Sequence, residues 1–229
     1  MTETTTGGST RIWDLPLRLF HWLLVALVAF SWWSGENHEM DWHRLSGYCV
    51  LALLVFRVWW GFVGSRTARF AQFVRAPGTV LAYARTLGTR PGHAADGHNP
   101  LGGWSVVAML AALAVMVAAG LFAVDVDGLE SGPLADYISF DQGRAAAEVH
   151  EAVFNLMLLL ILLHVAAIVF YLGFKRLNLV RPMITGRRAR SEGDSEHGAA
   201  ADVRWSPMLA LAGIVIAGAV AWAVSTGFR

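Results

Sequence analysis

Five long apolar runs fix the class of this chain before any single residue is weighed. They cover about residues 16–33, 44–63, 102–124, 148–172 and 206–227, and each is close to or above the roughly 20 helical residues that cross a hydrocarbon core about 30 Å thick. No sixth run qualifies. Inside lipid every backbone N–H and C=O must be satisfied within its own segment, so each run is expected to be an α-helix. The expected fold class is all-α and integral to the membrane. Composition agrees: 55% of the 229 residues are hydrophobic and 15% charged, with a mean hydropathy of +0.48, well outside ordinary soluble domains. The first run is expected to be kept rather than cleaved as a signal peptide, because a mostly polar segment precedes it and SWWSGE after it offers no small-residue cleavage site.

The connecting segments alternate in charge. Arg11 and Arg18 precede the first run; Arg66, Arg69, Arg75, Arg85 and Arg90 fill the second connection; Lys175, Arg176, Arg181, Arg187, Arg188, Arg190 and Arg204 fill the fourth. The first connection holds Glu36, Glu39 and Asp41, and the third Asp125, Asp127, Glu130, Asp136 and Asp141 against Arg144. Lys and Arg are retained on the cytoplasmic side, so the N-terminus is expected inside and Arg229 outside, in the inner membrane of a bacterium. Residues 184–205 are small, polar and mixed in charge, which reads as a flexible cytoplasmic linker. The fifth run beyond it, 206–229, has no histidine and is expected to be an additional transmembrane helix hung from that linker. Net charge is only +1, and nucleic acid is not expected as a partner. Cys49 is the only cysteine, which excludes an intrachain disulfide, a four-cysteine iron–sulfur site and thioether-linked haem.

The eight histidines divide evenly. His38, His93, His98 and His197 lie in polar loops and are expected to be solvated; in HNPLGG, Asn99 and Pro100 are expected to shape the turn into the third helix. His21, His43, His150 and His164 lie in or at the ends of the first, second and fourth apolar helices. His150 and His164 are fourteen residues apart, almost four whole turns, so they share a face with about 21 Å between them along the axis. By depth, His21 matches His164 on the Arg-rich side, and His43 matches His150 on the acidic side. Two facing imidazoles at each of two levels are most economically read as two non-covalent haems with bis-histidine ligation, the iron ions being the metals held. Interhelical hydrogen bonding is the bland alternative for any one of these histidines alone, but four in lipid at matched depths are costly to place by chance. Gly47, one turn beyond His43, would let a porphyrin edge approach the backbone, although ordinary helix packing explains it equally well. Arg57, fourteen residues after His43, and Arg18, one turn before His21, reach the Arg-rich level. Each either pairs with a haem propionate or polarises a quinone carbonyl, or else snorkels to the interface.

The segments IWDLPLRLFHW, HRLSGY, RVWWGFVGSRTARFAQFVRAP, GHNPLGG and EVHEAVFNLMLLLILLH together resemble the bacterial cytochrome b561 family, which includes the b-type cytochrome subunits of nickel-iron hydrogenases and is related to those of formate dehydrogenases. The resemblance covers about residues 11–183 and implies a four-helix domain with two b haems. Position by position it places the axial ligands at His21, His43, His150 and His164. It implies electron transfer across the membrane, in a respiratory chain, between a partner redox protein and the quinone pool. The partner would be a hydrogenase or a c-type cytochrome, and oligomerisation is compatible with this reading. On this reading the chain is an electron-transfer subunit of an oxidoreductase rather than an independent enzyme. A stand-alone quinone-linked oxidoreductase, such as a superoxide-oxidising relative, is the alternative. A haem-free histidine-bearing metal or proton transporter is less favoured, because intramembrane Asp and Glu do not form a ladder.

Overall fold

The computed structural model describes residues 9–89, 97–189 and 203–229. In chain order its elements are strand β1 (Ser9–Arg11), helices α1 (Leu15–Glu36), α2 (Met40–Val63), α3 (Phe70–Phe73), α4 (Pro77–Arg85), α5 (Pro100–Phe122), α6 (Phe140–Gly173) and α7 (Val180–Thr185), strand β2 (Arg187–Ala189) and helix α8 (Pro207–Ser225). Helices α1, α2, α5, α6 and α8 are long and apolar enough to cross a membrane, so the fold is the expected all-α membrane bundle of five spans. The only β structure in sheets among the described residues is an antiparallel ribbon of β1 with β2, Thr10 opposite Arg188.

Local chemistry sets the helix starts. Asp14 caps α1 by accepting the Leu17 amide at 2.7 Å, and Asn99 caps α5 by accepting that of Gly102 at 2.7 Å; Pro100 follows as the first residue of that helix. This is the turn expected of HNPLGG, since a side-chain acceptor and a proline both suit a helix N-terminus. Ser139 and Gln142 form a reciprocal capping box at the start of α6. The helix it opens begins eight residues before the apolar run expected from 148, so α6 reaches 34 residues, about 51 Å, and its first turns project past the hydrocarbon. A hydropathy boundary marks where lipid begins, whereas a cap marks where the helix begins.

Helix α2 is the hub. It packs against α1, α5 and α8, while α5 packs most extensively against α6. One apolar cluster joins Leu17 and Phe20 of α1 to Phe56 and Trp60 of α2 and Ala210 and Ala217 of α8. A second joins Val50 and Leu54 of α2 to Ala112, Leu113 and Met116 of α5 and Met157 of α6. The outward faces are apolar yet uncovered, for example Phe62, Leu162, Val215 and Trp222, as expected where lipid is the solvent.

The α8 helix does not merely hang from its linker. Its small residues Ala210, Gly213, Ala217 and Ala221 are buried, and the Trp59 indole donates to the Leu209 carbonyl at 3.0 Å. Of the segment expected as linker, residues 184–189 form the end of α7, its Gly186 cap and β2, and residues 190–202 lie outside the described part.

Interactions at the two ends group the connections by side. Asp136 pairs with Arg229 at 2.5 Å, the Tyr137 hydroxyl donates to Gly227 at 2.8 Å, and Arg44 bridges Asp41 and Glu130. These bring the first connection, the third and the C-terminus to one acidic side. On the other side Lys175 donates to the Thr86 and Thr89 carbonyls, and Tyr83 meets Tyr171 at 2.6 Å. Among the described residues, Asp14 is the only carboxylate on that Arg-rich side.

Candidate functional site

On the acidic side the structure brings the rings of His43 of α2 and His150 of α6 together, with centroids 6.0 Å apart and planes at 76°. Each ring is fixed by its Nδ1. His43 Nδ1 lies 2.8 Å from the Ser31 carbonyl on α1, and His150 Nδ1 lies 2.8 Å from the Met116 carbonyl on α5. A carbonyl only accepts, so each Nδ1 carries a proton, and in the neutral imidazole that places the lone pair on Nε2. A ring whose Nδ1–H is held by a carbonyl is oriented as metal-binding imidazoles are. Ring nitrogens bind metals at about 2 Å, so two imidazoles sharing one ion have centroids roughly 6 Å apart.

Two glycines were not singled out by the sequence reading. A Cβ at Gly35 would lie 3.1 Å from His43 Nδ1, and one at Gly120 would lie 2.8 Å from His150 Nδ1. Gly35 follows Ser31 by four residues and Gly120 follows Met116 by four, so each cradle is one helical turn of carbonyl and glycine. Gly35 also follows His21 by fourteen, the spacing that separates His43 from Arg57 and His150 from His164. That repeated spacing was a signal available in the sequence. A Cβ at Gly47 would meet nothing within 4 Å, so the protein leaves space one turn from His43.

The Arg-rich level gathers His21, His164, Arg57, Arg18 and a residue expected elsewhere, His98. His21 and His164 are within electrostatic reach of each other. Arg57 is 2% exposed, and its guanidinium lies 4.8 Å from the Phe70 ring centre and 6.0 Å from that of Phe73. It does not snorkel. Arg18 donates to the Ile184 carbonyl and packs against Gly186, whose φ of +78° suits glycine. One arm of Arg18 therefore ties α1 to the end of α7.

His98 corrects the expectation of a solvated loop histidine. The residue is half-buried, its ring packs 4.7 Å from that of Trp13 and 4.8 Å from that of Phe73, and its Nδ1 is buried without a partner among the described residues. Burial first, then the positive charge of Arg57 and of His164 and His21, pushes its pKa down to about 3, so it is neutral at pH 7. Hydropathy could not reveal this, because the burying rings come from segments distant in sequence. His38 is exposed, as expected. His93 and His197 lie outside the described residues.

Five buried side-chain polar atoms lack a hydrogen-bond partner among the described residues: Arg18 Nε, His21 Nδ1, both terminal nitrogens of Arg57, and His98 Nδ1. All belong to the Arg-rich level. Native proteins leave few such groups without a functional or ligand-related reason. No group of three or more His, Cys, Asp or Glu side chains among the described residues could hold a metal ion by itself.

An apolar bundle with histidines facing one another between its helices is the arrangement expected of a membrane cytochrome of the b type. The family model of prokaryotic cytochrome b561 matches residues 12–186, and the chain belongs to that family. No curated protein and no solved structure matches it. The chain is a multi-pass membrane protein of bacterial type that serves in electron transfer, and its family implies b-type haem. The residues fit that group: the His43 and His150 rings lie 6.0 Å apart with each Nδ1 engaged by a carbonyl, and a Cβ at Gly47 would meet nothing within 4 Å.

Proposed function

We propose that the chain is a di-haem cytochrome that carries electrons across the membrane between a redox partner on the acidic side and the quinone pool. His43 and His150 would hold one haem and His21 and His164 the other. Each haem supplies an iron that takes up and releases one electron. The observation that carries this reading is the His43–His150 pair, held 6.0 Å apart with each Nδ1 engaged by a carbonyl. The partner would be a hydrogenase or a c-type cytochrome. The Arg-rich side would face the cytoplasm, following the retention of Arg and Lys there.

Charge supports a quinone site on the Arg-rich side. The unpaired terminal nitrogens of Arg57 lie at the level of His21 and His164, where a guanidinium would stabilise the charge that a quinone carbonyl gains on reduction. Arg18 has its unpaired Nε at the same level.

Acid–acetone extraction with a reduced pyridine spectrum tests the haem count, and about two haems per chain are expected. A value near one in a folded preparation would overturn the pairing scheme. Single His→Ala variants test partnership: His21→Ala and His164→Ala should remove the same redox component, and His43→Ala and His150→Ala the other. Turnover with quinone by the purified chain without any partner would instead favour the stand-alone oxidoreductase.

A further inference from the structure

We infer that Gly35 and Gly120 are positioning residues that hold the imidazoles of His43 and His150 crossed, rather than parallel, about a shared iron. The inference rests on the proposal that these histidines ligate a haem. The rings stand at 76° to each other, and nothing in the two side chains alone requires that angle. Each imidazole is instead fixed at two points by a helix that is not its own. His43 is fixed by the Ser31 carbonyl and Gly35 of α1, and His150 by the Met116 carbonyl and Gly120 of α5. The carbonyl sets the direction of Nδ1, and the missing side chain lets the ring edge lie against the helix. A bond alone would leave the ring able to turn about it; the close approach removes that freedom.

The two cradles are unequally tight. A methyl at Gly120 would lie 2.8 Å from Nδ1 and 3.0 Å from Cε1 of His150, a contact real side chains do not make, so the ring must turn or the Met116 bond must lengthen. A methyl at Gly35 would lie 3.1 Å from Nδ1 and 3.3 Å from Cε1 of His43, which an adjustment of a few tenths of an ångström relieves. The angle matters because axial ligands tune a haem. Crossed imidazoles leave two iron d orbitals nearly equal in energy, which gives a ferric low-spin centre a highly anisotropic paramagnetic signal. Parallel imidazoles separate those orbitals and give a rhombic one.

Low-temperature electron paramagnetic resonance of the oxidised full-length holoprotein tests this, with haem content and redox titration on the same samples. The native chain should show one highly anisotropic low-spin signal that His43→Ala abolishes. Gly120→Ala should move that signal toward rhombic and shift the potential of the same haem, with haem content and the other signal unchanged. Gly35→Ala should move it less, and Gly218→Ala, where a Cβ meets nothing within 4 Å, not at all. A rhombic signal from this haem in the native chain, or an unchanged signal in Gly120→Ala, overturns the inference. Should Gly120→Ala fail to hold haem, Gly35→Ala decides, and no shift there overturns it. A haem content near one with the anisotropic signal present would sink the two-haem proposal and leave the cradle standing.

Discussion

A guanidinium that is 2% exposed, with neither terminal nitrogen hydrogen-bonded among the described residues, is costly, because a buried charge loses several kcal/mol of hydration unless an anion or dipole replaces it. Contact with Phe70 and Phe73 returns only about 1–2 kcal/mol, and Asp14, the nearest carboxylate to act on Arg57, is already engaged. It accepts from the Leu17 amide, from the Trp60 indole at 3.1 Å and from Ser65. Arg57 is therefore expected to meet a ligand. In Arg57→Gln with both haems retained, the quinone KM should rise about tenfold, equivalent to about 1.4 kcal/mol, with potentials unchanged. A shifted potential with normal quinone kinetics would assign Arg57 to a propionate instead. Asp14→Ala removes a helix cap and leaves two buried donors unpaired, so a loss of about 2–4 kcal/mol is expected, visible as earlier thermal loss of the haem band. His98 adds a pH dependence. Its folded-state pKa of about 3 lies below the ordinary 6.5, so the unfolded chain binds the extra proton between those values. Its contribution to stability is complete above about pH 6.5 and declines as pH falls, by at most about 1.4 kcal/mol per unit. Denaturation across pH 4–7 should be flatter in His98→Phe than in the native chain; an equal slope would show that the ring is not held neutral.

At the scale of the element, hydrophobic run length located all five spans, and the fourteen-residue spacing on α6 and α2 placed His150, His164, Arg57 and the level each occupies. These were legible because a helix converts spacing into face and depth with few alternatives. The cradles around His43 and His150 were not, since a backbone carbonyl has no sequence signature and a helix glycine such as Gly120 reads equally as packing. The burial of His98 depends on Trp13 and Phe73 arriving from separate segments, which is tertiary information. The packing of α8 on α2 was not legible for a related reason: a span rich in Ala and Gly lacks large anchors, yet smallness lets it approach α2 closely. Gly213 carries that contact, because a Cβ there would lie 2.5 Å from Cδ1 of Trp59. Gly213→Leu should destabilise the protein by about 1–3 kcal/mol through overpacking while two haems remain, since every ligand proposed lies within residues 12–186. Loss of both haems in that variant would make α8 part of the haem-binding body rather than a buttress on α2.

For the whole molecule, the charge asymmetry is its most extended feature. On one side the described connections are almost wholly basic, and on the other Glu36, Glu39, Asp125, Asp127, Asp136 and Asp141 surround the helix ends nearest His43 and His150. Some acidic charge is spent internally, as Arg44 binds Asp41 and Glu130 and Arg229 binds Asp136, but Glu36, Glu39 and Asp127 are exposed. Reporter fusions after Gly88, after Gly128 and at Arg229 should read cytoplasm, exterior and exterior, in line with retention of the Arg-rich connections; cytoplasm at Gly128 would invert the molecule. With that orientation the haem proposed between His43 and His150 is the one a soluble exterior protein could approach, and the acidic rim suits a basic surface. Opposite fields accelerate encounter without adding much affinity, and salt screens them over about 10 Å at 0.1 M. The rate of electron exchange with a basic c-type cytochrome should therefore fall about tenfold or more between low ionic strength and roughly 0.5 M. Glu39→Gln with Asp127→Asn should lower the low-salt rate and flatten the salt dependence, with haem potentials and quinone kinetics unchanged. A rate indifferent to salt, or one that rises with it, would exclude electrostatic docking at this rim and turn the search toward a membrane-embedded partner.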